Sequence, residues 1–205
     1  MTIVIFEGAD NLGKSTIINS IAQRYVNDRD ILFMHASAPV LKPGEDPKEV
    51  QERTFRQMFA KCNYMSNLEH TLETSRKNIV FMDRSQYGEY VYGQLYRNQN
   101  PDDILKMFSN IRVYSSINII VVHLEASADF VISHDDHKSF TSDYDAEKRK
   151  ASVQKELDLF NECFEKANPA NYIKVNVEGE QNNYRNLDDI CDEILNRIKE
   201  LNIEL

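Results

Sequence analysis

Eight consecutive residues in this chain have the types and spacing to hold a nucleoside triphosphate. Gly8-Ala9-Asp10-Asn11-Leu12-Gly13-Lys14-Ser15 satisfies G-x-x-x-x-G-K-[ST], between a strand-like apolar run and a helical stretch. The chemistry needs that order. The turn aims successive backbone N–H groups inward, the glycines let the backbone approach a phosphate, and the helix behind adds the positive end of its dipole. Lys14 is expected to reach the β- and γ-phosphates and the Ser15 hydroxyl to ligate Mg²⁺, with Gly8, Asn11, Leu12, Gly13 and Thr16 completing an ATP-binding set. The motif leaves the acceptor open, since hydrolases, switches and kinases share it. No N-K-x-D guanine-reading motif and no additional module accompanies it, so a compact kinase using ATP and Mg²⁺ is the economical reading.

A second group of charges lies in Asp129–Lys150, which is polar and lacks periodicity until Val153. It reads as a lid, with Lys138 and Arg149 as leading cations and Lys148 and Lys150 beside them; the alternative is a solvated charged helix, because charge runs ordinarily face water. His134, Asp135, Asp136 and His137 carry an i, i+3 histidine pair, a spacing also ordinary in polar loops, so no metal beyond Mg²⁺ is expected there.

The elements that must position these groups are legible as periodicity. Apolar runs rich in β-branched and aromatic residues recur at Ile3–Phe6, Ile31–Met34, Ile79–Met82, Ile119–Leu124 and Tyr172–Val177, short and mostly continuous, as strands covered on both faces are. Ile17, Ile18, Ile21, Ala22 and Tyr25 mark one helical stripe, and Leu187, Ile190, Cys191, Ile194, Leu195, Ile198 and Leu201 mark another behind a cap at Asn186. Ala38–Asp46 is a loop, and Pro47 opens a helix through about Ser75. The expected fold is α/β, a five-stranded parallel sheet with helices on both faces and a lid segment, in one domain over 1–205.

Composition narrows the partners. Lys+Arg 24 against Asp+Glu 33 gives a net charge of −9, which disfavours a protein that coats nucleic acid while leaving room for a local basic groove. Cys62, Cys163 and Cys191 are far apart and form no C-x-x-C, which fits a reduced, cytoplasmic setting better than a disulfide framework or zinc site. No apolar run approaches the roughly 18 residues of a membrane span, and Met1–Phe6 lacks the basic start and long apolar core of a signal peptide.

Beyond the generic loop, Phe6-Glu7-Gly8-Ala9-Asp10-Asn11-Leu12-Gly13-Lys14-Ser15-Thr16 resembles the opening F-E-G-x-D-x-x-G-K-S-T of the thymidylate kinase family. Asp83-Arg84 after the third strand, followed by the Tyr-rich run Ser85-Gln86-Tyr87-Gly88-Glu89-Tyr90-Val91-Tyr92, is similar to that family's D-R pair and helix. The resemblance implies that Arg84 binds the acceptor, that Asp83 serves the Mg²⁺ and acceptor neighbourhood, and that Asp10 orients the acceptor from the loop. It also implies that Phe59 stacks on a pyrimidine, that one ring of the tyrosine group, Tyr87, lines the acceptor pocket, and that the chain pairs as a homodimer. The acceptor would be a pyrimidine deoxynucleoside monophosphate, a small-molecule partner.

Two of that family's acceptor-phosphate donors have no counterpart. His35-Ala36-Ser37-Ala38-Pro39 stands where Arg-Glu-Pro is usual, and Asn63 stands nearest a further arginine. The run Asp83-Arg84-Ser85-x-Tyr87 also resembles the E-R-S-x-Y/F run of deoxynucleoside kinases, which phosphorylate a sugar hydroxyl, although those enzymes place a Glu after the second strand and this chain has none until Glu45. A kinase of a hydroxymethylated pyrimidine, free or in DNA, and a binding-only regulator complete the alternatives.

Overall fold

The computed structural model describes residues 1–71, 77–134 and 146–205. Five strands form one parallel sheet: β1 (Thr2–Glu7), β2 (Asp30–His35), β3 (Asn78–Asp83), β4 (Asn118–Glu125) and β5 (Tyr172–Asn176), in the order β2-β3-β1-β4-β5. Every strand falls on one of the apolar runs of the sequence. β1 and β3 are apolar throughout their middles because helices cover both faces, as expected. β2 departs from that expectation: at the sheet edge it alternates exposed and half-buried residues, with Phe33 open to solvent but stacked on Phe81.

Between the strands lie α1 (Lys14–Gln23), α2 (Pro47–Thr71), α3 (Gln86–Arg97), α4 (Pro101–Asn110), α5 (Ala128–Ser133), α6 (Ala146–Ala167) and α7 (Leu187–Glu200). Their ends follow local chemistry. Pro47 and Pro101 occupy first helical positions, Asn100 and Ser127 cap α4 and α5, and the Asn186 side chain accepts from the N–H groups of Asp188 and Asp189. The described part of α2 ends at Thr71, and Ser75 lies outside the described residues.

Two cores result, one on each face. The first joins α1, α5 and α7 to the sheet through Ile17, Ile21, Phe130, Ile190, Ile194 and Ile198. The second joins α2, α3 and α4 to the other face through Phe55, Phe59, Tyr90, Ile104 and Met107. α6 contributes Val153 and Leu157 to the first and Phe160 and Phe164 to the second. The direction of the connections accounts for α1 against α3 and α4: the chain leaves β1 toward β2 and leaves β3 toward β4, in opposite directions along the sheet, and with the usual right-handed crossover the following helices fall on opposite faces. A crevice therefore opens where the C-terminal ends of β1 and β3 meet.

The three cysteines are buried and unpaired. No described helix is long and apolar enough to cross a membrane.

Candidate active site

The loop 8–13 fills one side of that crevice. Gly8 has φ +137°, and a Cβ there would stand 2.5 Å from the Leu124 carbonyl oxygen, so no larger residue fits. Gly13 (φ +74°) and Asn11 (φ 61°) also take left-handed conformations, and the Tyr184 hydroxyl donates to the Asn11 carbonyl. α1 begins at Lys14 with no side-chain cap, which leaves its first N–H groups available to an anion. Ser15 and Thr16 are exposed on that first turn, whereas the Leu12 side chain is buried in the core, so Leu12 serves through its backbone. Lys14 is buried, and its Nζ donates to the carbonyls of Gly8 (3.1 Å) and Ala9 (2.6 Å). Burial, with Arg84 nearby, lowers its pKa to about 8, so the ammonium form still predominates at neutral pH and a phosphate in the loop would favour it further.

Asp83 ends β3 opposite α1. Its Oδ2 accepts from the Ser15 hydroxyl at 2.7 Å and lies 3.7 Å from His35 Nδ1, while Oδ1 is buried without a hydrogen-bond partner. A hydroxyl and a carboxylate with an unused oxygen, beside a phosphate-binding loop, form an all-oxygen donor set of the kind Mg²⁺ takes together with substrate phosphates. The residues present therefore fit the expected metal, and Ser15 and Asp83 are the groups that would hold it.

Arg84 follows in the left-handed region, φ 70°, a conformation uncommon for a residue with a Cβ. Its N–H donates to the Phe6 carbonyl at 3.0 Å, its guanidinium pairs with Asp10, and it lies 4.6 Å from the centroid of the Tyr92 ring. The turn is secured beneath by Glu7, whose Oε1 accepts from Ser85 N–H (2.6 Å) and Ser85 Oγ (2.7 Å).

On the other side of Arg84 a pocket of about 410 Å³ opens between the strand ends and helices α2 and α3, a volume suited to a nucleoside-sized ligand. Asp10, Arg84, Gln51, Phe55, Glu89 and Arg97 line it, with Tyr92 and Tyr96 on the α3 side. Arg97 Nη2 bonds Glu89 Oε2 at 2.5 Å, and Arg97 Nε and Glu89 Oε1 are buried without partners. Burial raises the Glu89 pKa against the lowering effect of Arg97.

The structure thus brings together Asp10, Lys14, Ser15, Asp83 and Arg84, and it places the two expected aromatic residues, Phe59 and Tyr87, in the core. Phe59 is 1% exposed in the core and lines no part of the pocket; Phe55, one helical turn earlier, does. Tyr87 packs between Phe108 and Phe164, and Tyr92 is the ring at the pocket. Asn63 lies elsewhere, donating to the Arg112 carbonyl at 2.9 Å and accepting from Tyr114 N–H at 3.0 Å.

The segment read as a lid is also revised at its start. Phe130 and Val131 of α5 are buried in the first core, and Lys150 pairs with Asp129 between the two ends of the segment itself. Arg149 lies half-buried in the first turn of α6, and Lys138 and His137 lie outside the described residues. His134 packs against Phe130 and Tyr184, and among the described residues no three His, Cys, Asp or Glu side chains cluster as a metal site would require.

Glu7, Gln51, Phe55, Glu89, Tyr96 and Arg97 had no role from sequence, and Tyr92 was one of a group of tyrosines from which Tyr87 was chosen. The available signal was helical spacing, since Gly88, Glu89, Tyr92 and Tyr96 fall on one face of α3.

Sheet order, loop and crevice define a P-loop nucleotide and nucleoside kinase-like fold. No protein-family model and no curated protein matches the chain in sequence. Among solved structures it is similar to thymidylate kinase from Ehrlichia chaffeensis, at 15% identity over 95% of this chain and 97% of that one, with a TM-score of 0.56. It is also similar to the YorR protein of Bacillus subtilis in complex with phosphorylated GDP, at 16% identity over 99% of each chain and a TM-score of 0.58. A third is deoxyadenosine kinase from M. mycoides with dCMP and a flexible dCDP bound, at 17% identity over 98% and 100%, TM-score 0.51. At these identities the likeness is one of fold.

Proposed function

We propose that the protein transfers the γ-phosphoryl group of ATP, with Mg²⁺, to a pyrimidine deoxynucleoside monophosphate. The observation that carries this reading is the adjacency of two sites across one turn: the phosphate-binding loop with Ser15 and Asp83, and a nucleoside-sized pocket lined by Arg84 and Arg97. Phosphoryl transfer needs alignment and neutralisation of charge more than covalent chemistry. Lys14 and the α1 N-terminus receive the donor phosphates, Ser15 and Asp83 hold the metal, and Arg84 faces the acceptor. Asp10 orients both Arg84 and the acceptor, and Arg149, with Lys138, supplies the cations of a closing segment. Arg97 offers a guanidinium in place of those absent around His35 and Asn63.

A nucleoside hydroxyl is the second reading, and a specific observation favours it: each pocket arginine already has a carboxylate, Asp10 for Arg84 and Glu89 for Arg97. A neutral acceptor leaves both pairs intact, whereas a phosphate must compete with them.

Acceptor-dependent ADP release from Mg–ATP decides between the two, with thymidine monophosphate, deoxyuridine monophosphate, its hydroxymethylated counterpart and thymidine compared in parallel. Turnover with a monophosphate and none with thymidine supports the first reading; the reverse supports the second. Lys14→Ala abolishes turnover in either case. Arg84→Ala raises the acceptor KM roughly 10- to 100-fold, as loss of a charged hydrogen bond does, with ATP affinity little changed. Silence with all four acceptors removes the kinase reading for these substrates.

A further inference from the structure

A carboxylate with no access to water is costly to bury unless hydrogen bonds or charges meet it, and Glu7 is 0% exposed. Its Oε1 takes both hydrogen bonds that Ser85 offers, from N–H and Oγ. Its Oε2 has no partner and lies beneath Gly88, where a Cβ would stand 3.2 Å away. Directly before Ser85 is Arg84 in its left-handed conformation, tied by its own N–H to the Phe6 carbonyl. Two successive residues of β1 therefore hold two successive residues of the turn, and Glu7 itself leads directly into Gly8 of the phosphate-binding loop.

We propose that Glu7 is a positioning residue that holds the Arg84 guanidinium in register with the phosphate-binding loop by clamping Ser85. The clamp is a property of the fold; only the identity of what Arg84 then contacts rests on the kinase reading above. The ionised carboxylate makes the stronger, charge-assisted bonds to Ser85. The groups facing it are Lys14 from α1 and Arg84 and Ser85 from the turn, with Tyr87 on α3 and Cys163 on α6. Burial, opposed by Ser85, Arg84 and Lys14, pushes the Glu7 pKa up to about 7, so the clamp changes strength near neutrality.

The test uses the full chain without acceptor. The Ser85 N–H and Arg84 Nε–H resonances are followed by NMR from a pH of about 5.5 to about 8.5 in the native protein and in Glu7→Gln, an isosteric change that leaves a neutral side chain. Both resonances move together in the native protein, with a midpoint near the Glu7 pKa of about 7, and lose that transition in the variant. In the coupled assay Glu7→Gln raises the acceptor KM about tenfold and leaves the ATP KM within about twofold, a split that general loosening of the fold does not produce. An Arg84 resonance that ignores the transition seen at Ser85, or that is unchanged by Glu7→Gln, overturns the proposal. If the native protein turns over no acceptor, the kinase reading fails and the resonances alone decide the role of Glu7.

Discussion

Glu7 shows how a single residue can serve a site at the expense of stability. Its carboxyl has a pKa of about 7 in the folded chain against an ordinary 4.5, because burial disfavours the charge. The folded state thus binds the proton more tightly than the unfolded one, and the stability this contributes is full below pH 4.5 and lost as pH rises through about 7. The difference amounts to about 3 kcal/mol. Glu7→Gln removes the charge, so the variant is expected to match the native protein in thermal unfolding near pH 5 and to exceed it near pH 8. A variant no more stable than the native protein at the higher pH contradicts that assignment. Arg84 was legible from its place after the third strand; Glu7 was legible only as a letter of the Phe6-Glu7-Gly8 opening, and its role arises only when β1 and the turn after β3 lie side by side.

Elements were the more legible scale. Each strand was visible because continuous β-branched runs between turn signals have few other uses, and the Asn186 cap of α7 was visible because its side chain competes for backbone donors. The phase of a buried helix was not. On α2, Phe55 and Phe59 lie one turn apart and are equally buried, and only the position of the strand ends decides which meets the pocket. On α3, Tyr87 and Tyr92 are both aromatic, but their spacing of five residues turns them to different neighbours, Phe108 and Arg84. Truncating Phe55 or Phe59 to Ala is expected to cost about 3–5 kcal/mol of stability, as loss of a buried aromatic ring does. Denaturant unfolding checks that the two losses are comparable, while the acceptor KM should change for Phe55→Ala alone. An equal change for Phe59→Ala would return that residue to the pocket.

For the whole molecule, the site is a meeting of loops from both sides of the sheet, so ligand binding should register as global stability. At about 100 times its Kd, Mg–ATP adds roughly 2.7 kcal/mol to a chain that binds it only when folded. In a protein of this size that corresponds to a rise in Tm of roughly 5–10 °C. Lys14→Ala should abolish the shift, and so should omission of the metal if Ser15 and Asp83 hold it; a full shift without metal counts against their role. The sheet also divides the labour. On the proposed function, the loop that would take the donor runs into α1 on one face, while α2 and α3, which line the pocket assigned to the acceptor, lie on the other, with β1 and β3 as the wall between them. Substitutions in the pocket-facing turns of α2 and α3 can therefore accumulate without repacking the half that holds the phosphate-binding loop. A chain built on this plan can change what its pocket admits while leaving the loop on the opposite face as it is.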